Sequence, residues 1–260
     1  MRYVLYDTSR AEGFNLRRDV YIRMAKLTLE LGDNWTLVLP PWGPLPHWQS
    51  KDKPNQTRLP WCTFFQIDAL QEVVPVIEFE TFIDHVATEI DMVLILNHYP
   101  DLFVHQNPQQ PTPLEERYEL DECRHIQYYE EDGQVRGWFF GYSKRISARK
   151  LQCALLEGTT KTVAELIRER LLPNQVQTLF IQNAEVMLHS DYGDAHFWLI
   201  RRSMQFDSKL VDIAAHFRKI QLNSDDVRDQ TFIGDDWQLE RLNKQRKAGY
   251  ALGGDYGWFF

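Results

Sequence analysis

The sequence has 260 residues and a mass of 30.8 kDa, with 29 basic and 37 acidic side chains and a net charge of −8. Hydrophobic residues make up 43% of it and aromatic residues 13%, enough apolar material for a packed core, which excludes intrinsic disorder. The acidic balance argues against a nucleic-acid-binding protein, and no apolar run approaches the roughly 18 residues that would span a membrane.

The first three predicted elements are a strand, a helix and a second strand. Tyr3–Tyr6 is a short apolar run typical of a strand. Apolar residues then recur at helical spacing over residues 16–31, and Gly32 stands where a glycine commonly ends a helix. Trp35–Leu39 predicts the second strand. Strand, helix and strand in this order indicate a right-handed βαβ unit on a parallel sheet, and therefore an α/β fold.

The pattern beyond these elements is less regular. Further strands are predicted at Pro75–Phe79, Met92–Leu96, Gly137–Tyr142 and Gln177–Ile181. Helices are predicted at Phe79–Ala87, at Thr162–Leu172, over Phe197–Leu222 as one long or two stacked helices, and over the basic segment Trp237–Tyr250. The proline- and glutamine-rich stretch His98–Pro113 is predicted to be a loop.

The turn from the first strand into the first helix is the first candidate site. Ligands of parallel α/β sheets gather at the carboxyl ends of the strands, beside helix N-termini whose unpaired N–H groups favour an anion. In the loop Asp7–Asn15, Gly13 allows a close approach of the backbone, and Glu12 is a carboxylate that could act as a general base. The alternative interpretation is an ordinary strand-to-helix turn with an acidic residue at its end.

Two other segments are candidates with structural alternatives. The stretch Pro40–Gln49 combines rigid prolines with Trp and His side chains, which can line a cleft or form a packed surface loop. The pairs Arg17–Arg18 and Arg201–Arg202 could hold phosphate, although solvated helix faces explain most such pairs. The histidines show no metal-ligand spacing, so no metal site is predicted.

The cysteines and the N-terminus bear on the cell compartment. Cys123 and Cys153 could pair in an oxidising compartment, or Cys62, Cys123 and Cys153 could all be buried thiols. Asn34 and Asn55 begin triplets that can accept N-linked glycans. The first residues lack the apolar core and cleavage site of a signal peptide, so none is expected within this sequence.

Several motifs together resemble the protein O-fucosyltransferase family, in particular the type that modifies thrombospondin type 1 repeats. The resemblance covers nearly the whole chain. The motifs are Arg2–Asp7, Glu12–Arg23, Val38–Gly43, His47–Ser50, Tyr128–Tyr129, Arg136–Phe139, Arg201–Met204, Leu222–Ser224 and Ala251–Gly254.

The resemblance implies a GT-B fold, in which two Rossmann-like domains face each other across a cleft. It implies inverting transfer of fucose from GDP-fucose to a Ser or Thr hydroxyl of folded thrombospondin type 1 repeats, without a metal or other cofactor, in the lumen of the endoplasmic reticulum. The family's general base falls on Glu12, and its donor-binding loop on Ala11, Glu12, Gly13, Phe14 and Asn15. A family disulfide falls on Cys123 and Cys153.

The sequence also departs from the family pattern. Ala11 replaces a proline, and after Gly253–Gly254 the family continues into a strand ending His-Leu-Arg-Arg and a second nucleotide-binding domain. We therefore expect residues 1–236 to form the Rossmann-like acceptor-side domain. Residues 237–260 are predicted to be a linker helix and the truncated start of the donor-binding domain.

Three hypotheses follow from these observations. The chain is a fucosyltransferase with Glu12 as base; or it is a truncated, inactive form that only binds thrombospondin repeats; or it is a cytosolic α/β protein with unrelated ligands. Binding of GDP-fucose separates the first two, and the redox state of Cys123 and Cys153 separates the third.

Overall fold

The computed structural model describes residues 1–8, 13–43, 45, 57–100, 115–124 and 127–225. Within these residues, nine strands form one sheet. The strands are β1 (Arg2–Tyr6), β2 (Trp35–Leu39), β3 (Val76–Glu78), β4 (Glu89–His98), β5 (Arg117–Asp121), β6 (Tyr129–Glu131), β7 (Gln134–Arg136), β8 (Ser147–Glu157) and β9 (Thr178–Gln182). The predicted α/β class is confirmed.

Six neighbouring strands of the sheet are parallel, in the order β3-β2-β1-β9-β4-β8. The predicted parallel βαβ unit is confirmed, because β1 pairs parallel to β2 with Tyr3 opposite Thr36. At the far edge β7 pairs antiparallel with β8, and β6 pairs with β7. The strand β5 pairs antiparallel with the second half of β8.

Of the six α-helices among the described residues, four lie between these strands in the chain and two follow β9. The helices are α1 (Phe14–Leu31), α2 (Ile67–Gln71), α3 (Phe79–His85), α4 (Thr160–Leu166), α5 (Ala195–Ser203) and α6 (Ser208–Phe217). Helix α1 ends as predicted at Gly32, whose φ of 102° is a conformation that residues with a Cβ rarely adopt.

Apolar residues cover both faces of the sheet, as is usual for parallel strands. On one face, Val4 and Tyr6 of β1 belong to a buried cluster that includes residues of α1, α4 and α5. On the other face, Leu5 of β1 packs in a second cluster with Phe82 of α3 and Phe180 of β9. No helix among the described residues is long and apolar enough to cross a membrane.

One sequence prediction about elements needs correction, and one pair of alternatives is decided. Gly137–Tyr142 is not a strand: Phe139 and Phe140 have φ of 37° and 56°, and the segment forms a tight turn. For the segment Phe197–Leu222, the alternative of two helices is confirmed over that of one long helix, because the helix is interrupted after Ser203. The predicted helix Trp237–Tyr250 and most of the predicted loop His98–Pro113 lie outside the described residues.

The chain divides into two compact units, residues 1–208 and 209–260. The first contains the whole sheet. In the described part of the second, α6 continues into a wider helical turn, Arg218–Leu222, and carries exposed apolar side chains such as Ile213 and Phe217. The predicted domain boundary between residues 236 and 237 lies outside the described part of the chain.

Candidate active site

The carboxyl ends of the central strands β1, β9 and β4 lie side by side at one end of the sheet. The chain runs from β1 outwards to β2 and β3, and then returns to β4 on the other side of β9. Such a reversal of strand order leaves a crevice at the strand ends, where α/β proteins commonly bind ligands.

Hydrogen bonds fix the three strand ends relative to one another. The Asp7 N–H donates to the Ile181 carbonyl at 2.9 Å, and the Ala184 N–H donates to the Asp7 carbonyl at 3.1 Å, which joins β1 to β9. Asn183, in a left-handed conformation with φ of 58°, donates its side-chain N–H to the Leu96 carbonyl of β4 at 3.0 Å. The floor of the crevice is therefore well defined.

A buried arginine connects helix α1 to the segment that follows β9. Arg23 of α1 donates to the carbonyls of Glu185 and Met187, at 3.0 and 2.7 Å, and pairs with Asp19. Asp19 also bonds to His189 at 2.9 Å. These contacts attach the connection that follows β9 to helix α1.

One cavity at the strand ends has a volume of about 480 Å³. We call it the polar cavity, because its lining includes the polar residues Asp7, Asn97, His98, Gln182, Asn183 and Glu185. These side chains come from the ends of all three strands and from the connection after β9. They offer many hydrogen-bonding groups and carboxylates, but no lysine or arginine from the described residues.

A second cavity, of about 510 Å³, lies towards the N-terminus of α1. We call it the arginine cavity, because Arg17 and Arg58 line it together with Pro41, Gly43 and Phe140. The Arg58 guanidinium lies 4.7 Å from the centre of the Tyr142 ring. Guanidinium groups match the geometry of phosphate oxygens, so this cavity suits a phosphorylated ligand.

Asp7 and Trp138 line both cavities and therefore stand between them. Trp138 is 50% exposed, and the tight turn that follows it is anchored in the core. Phe139 packs 5.6 Å from Phe180, and Phe140 packs 4.8 Å from Phe79, both edge-to-face. Left-handed backbone at two consecutive phenylalanines is strained, and these contacts hold it.

Burial and charge both act on the titratable groups of the site. The Asp7 carboxylate accepts the Thr8 N–H at 2.8 Å. Burial, with the Asp7 charge added, raises the pKa of Tyr128 far above its usual value, and burial does the same for Tyr6. Desolvation lowers the pKa of His98. Both phenols and this imidazole are therefore neutral at pH 7.

The structure describes three of the five residues predicted to bind the donor. Gly13 is the N-cap of α1, the helix that brings Arg17 to the arginine cavity. The Phe14 ring packs 4.9 Å from that of Trp42, and Asn15 is exposed at the start of the helix. Ala11 and the predicted base Glu12 lie outside the described residues. The roles of all five residues remain predictions.

The other two candidate segments contribute in part. Pro41 and Gly43 line the arginine cavity, whereas Trp42 is buried among aromatic rings rather than exposed; His47, Trp48 and Gln49 lie outside the described residues. Of the paired arginines, Arg17 faces the arginine cavity. Arg18 is partly buried beside Arg201, and burial, followed by this like charge, lowers its pKa.

The predicted disulfide between Cys123 and Cys153 is present. The alternative of three buried thiols is wrong, because Cys62 is also exposed. Asn34 is exposed in the turn before β2, while Asn55 lies outside the described residues; glycosylation of both remains a prediction. Within the described residues no three His, Cys, Asp or Glu side chains are grouped as metal ligands.

Sequence reasoning missed the polar cavity. Asn97, Gln182 and Glu185 belong to no motif, and only the pairing of β9 between β1 and β4 brings them together. Each follows or ends a predicted apolar strand, which was the available signal. Trp138 belongs to the predicted strand Gly137–Tyr142, and the sequence pattern indicates no role for it in a site.

Comparisons with known proteins find relatives of this chain both in sequence and in fold. A profile of the GDP-fucose protein O-fucosyltransferase family matches residues 3–250. GDP-fucose protein O-fucosyltransferase 2 from Caenorhabditis elegans is 37% identical over 97% of this chain and 58% of its own length. The protein of the same name from Homo sapiens is 39% identical over 98% of this chain and 57% of its own length. The chain thus spans less than two thirds of these relatives.

Solved structures share the fold at lower sequence identity. POFUT1 in complex with GDP-fucose superimposes with a TM-score of 0.52 and 14% identity, covering 84% of this chain and 55% of that protein. POFUT1 in complex with GDP gives a TM-score of 0.51, also at 14% identity. The mostly parallel α/β sheet is therefore shared with this fucosyltransferase.

Proposed function

Because this chain belongs to the GDP-fucose protein O-fucosyltransferase family, we propose that it acts in the transfer of fucose from GDP-fucose to a Ser or Thr hydroxyl of folded thrombospondin type 1 repeats. The observation that carries the proposal is the family match over residues 3–250. The crevice at the ends of β1, β9 and β4, with its two cavities, supports it.

In the proposed reaction Glu12 takes the proton of the acceptor hydroxyl. The hydroxyl oxygen attacks the anomeric carbon of fucose while the bond from that carbon to the β-phosphate oxygen breaks. GDP leaves with the electron pair on the opposite face, so the configuration at the anomeric carbon inverts. General base catalysis of this kind contributes roughly 10²–10⁴-fold to the rate.

The positive charges of two described arginines support the proposed departure of GDP. Glu12 directly precedes Gly13, the N-cap of α1, in the sequence. Arg17 and Arg58 line the arginine cavity, where cations would stabilise the negative charge that develops on a departing diphosphate. In this proposal the step uses no metal, and the Arg17 and Arg58 guanidinium groups take the role of neutralising the leaving group.

The test is fucosylation of a purified thrombospondin type 1 repeat by this chain, followed by mass spectrometry of the repeat. We expect Glu12→Ala to reduce transfer by at least about 10²-fold and to change GDP binding, measured by calorimetry, by less than about twofold. Glu72→Ala, at an exposed glutamate after α2, is the control. Unchanged transfer by Glu12→Ala would remove Glu12 from the role of base.

The same calorimetry tests the binding-module hypothesis. If the chain binds the folded repeat but not GDP-fucose, it acts only as a binding module, and the transferase proposal is refuted for these 260 residues. Micromolar binding of GDP-fucose would support the transferase proposal.

We place this activity in the lumen of the endoplasmic reticulum. The Cys123–Cys153 disulfide supports the proposal, because such bonds form and persist in oxidising compartments. The exposed Asn34 is an available glycan acceptor. Thiol labelling of natively expressed protein is the check: labelling of Cys62 alone is expected, and labelling of all three cysteines would contradict the proposal.

A further inference from the structure

One polar atom in the crevice lacks a partner within the described residues. The Oε1 atom of Gln182, the last residue of β9, is buried and makes no hydrogen bond there. The side chain lines the polar cavity. A buried acceptor without a donor is costly and uncommon in folded proteins, so its position in a cavity indicates that a ligand supplies the donor.

The surroundings of Gln182 favour a polypeptide over a phosphorylated ligand. The polar cavity carries the carboxylate of Glu185 and shares that of Asp7 with the arginine cavity, and within the described residues no arginine or lysine lines it. Like charges would repel a diphosphate, which the arginine cavity suits better. A peptide unit is uncharged and offers one N–H and one C=O, so it can pair with the Gln182 amide and with the neighbouring Asn97.

Trp138 separates the two cavities. It lines both of them, and the anchored turn that follows holds it half-exposed at their boundary. A flat aromatic wall with few rotatable bonds loses little entropy when ligands pack against it. It could therefore contact a sugar nucleotide on one side and an acceptor on the other.

We propose that the polar cavity binds the main chain of the acceptor polypeptide next to the hydroxyl that receives the sugar. The Gln182 amide is the hydrogen-bonding anchor for that main chain, and Trp138 is the wall between the acceptor and the sugar nucleotide. This inference rests on the proposed function, since it assigns one substrate of that reaction to one cavity.

Calorimetry with two ligands tests the role of Gln182. The first ligand is a folded thrombospondin type 1 repeat whose acceptor hydroxyl is removed by substitution with Ala, and the second is GDP-fucose. We expect Gln182→Met, which keeps the side-chain length but removes the amide, to weaken binding of the repeat about tenfold, the effect of one lost buried hydrogen bond. Binding of GDP-fucose should change less than about twofold.

Gln177→Met is the matched control, because Gln177 is exposed and lies just before β9, at the opposite end of that strand from Gln182. It should leave both affinities unchanged. The inference is overturned if Gln182→Met leaves repeat binding within about twofold of the parent chain, or if it weakens GDP-fucose instead. If the parent chain binds neither ligand, the proposed function itself fails and this inference with it.

A second variant keeps the test decisive if Gln182→Met does not fold, which circular dichroism would show. Trp138→Ala should weaken both ligands by several-fold, because Trp138 borders both cavities. Its control is Tyr129→Ala on β6, an aromatic residue of similar exposure, 57% against 50%, that lines neither cavity. Unchanged affinities of Trp138→Ala for both ligands would refute the role of Trp138 as the wall between them. They would also refute the assignment of the acceptor to the polar cavity and of the sugar nucleotide to the arginine cavity.

Discussion

Cys62 is the one cysteine outside the disulfide, and it contacts a half-buried carboxylate. The Glu78 side chain at the end of β3 accepts the Cys62 N–H at 2.9 Å and the Trp61 N–H at 3.1 Å. Burial raises the pKa of Glu78 despite these bonds. Burial and the Glu78 charge together raise the pKa of the Cys62 thiol.

This pairing predicts a slowly reacting thiol. Only the thiolate is alkylated, so Glu78→Gln should increase the rate of alkylation by iodoacetamide at pH 8. The increase should be partial, because burial of the thiol, which the substitution leaves in place, is the larger cause of its raised pKa. Glu72→Gln, on an exposed residue away from Cys62, is the control. An unchanged rate in Glu78→Gln would show that the carboxylate does not affect the thiol.

Asp19 predicts a specific pH dependence of stability. Burial disfavours its charge, but the hydrogen bond with His189 and the Arg23 guanidinium outweigh this and lower the pKa of Asp19. The folded protein therefore binds fewer protons at this group than the unfolded chain does near its ordinary pKa of about 3.9. The resulting stabilisation is present above that pH and is lost as the pH falls towards the folded-state pKa.

Urea denaturation at pH 7 and at pH 3 would measure this contribution. Asp19→Asn should lower the free energy of unfolding by about 1–3 kcal/mol at pH 7, and the difference from the parent chain should shrink at pH 3. Asp33→Asn, at an exposed turn residue, should have little effect at either pH. A difference of equal size at both pH values would mean that the charge of Asp19 is not its source.

At the level of elements, the turn after β7 depends on a glycine that approaches an aromatic ring. A Cβ on Gly137 would lie 2.3 Å from Cδ1 of Tyr128, and Tyr128 lines the polar cavity. Gly137→Ala should therefore displace this ring and lower the free energy of unfolding by about 1–3 kcal/mol.

Thermal unfolding of Gly137→Ala, compared with Gly43→Ala, is the measurement. A Cβ on Gly43 would have no atom of the described residues within 4 Å, so that variant should unfold close to the parent temperature. Equal stability of the two variants would contradict the close packing of Tyr128 on Gly137.

The same level shows which elements local sequence determines. β1, α1 and β2 were predicted to within two residues, because an apolar run, a helical period and a terminal glycine each mark a boundary. The long strand β8 was not predicted, since the exposed residues Arg149 and Lys150 interrupt its apolar pattern. The turn after Trp138 resembles a strand in sequence, and only tertiary contacts of Phe139 and Phe140 stabilise its left-handed backbone.

The candidate site divides in the same way. Its location beside the first helix followed from the strand-helix order, which is local information. The polar cavity depends on β9 inserting between β1 and β4, a pairing of residues far apart in the chain. No motif marks Gln182 or Asn97, so they could be found only in the fold.

In the whole molecule, the sheet is buried on both faces. The half that contains β1 and β2 and the half that contains β5, β6 and β8 are stabilised differently. Around β1 and β2, helices α1, α4 and α5 contribute to one extended apolar cluster. Near the other edge, β6 is short and exposed, and β5 is partly exposed. The disulfide lies on this side and joins Cys123, two residues after β5, to the buried Cys153 in β8.

Loss of this disulfide should therefore destabilise the whole chain through its unfolded state. The bond closes a loop of 30 residues, and the loss of loop entropy corresponds to roughly 3–4 kcal/mol. Cys123→Ser combined with Cys153→Ser should lower the free energy of unfolding in urea by this amount. Cys62→Ser, which removes the thiol but keeps the bridge, should change it little.

The same substitution should also affect the polar cavity, because the closed loop contains Gln127 and Tyr128, which line it. Binding of the thrombospondin repeat and of GDP-fucose should both weaken in the double variant under conditions where the chain remains folded, because the same loop also contains Trp138, Phe140 and Gly141, which line the arginine cavity. Unchanged binding of both ligands would mean that the disulfide stabilises the fold without positioning the residues that line either cavity.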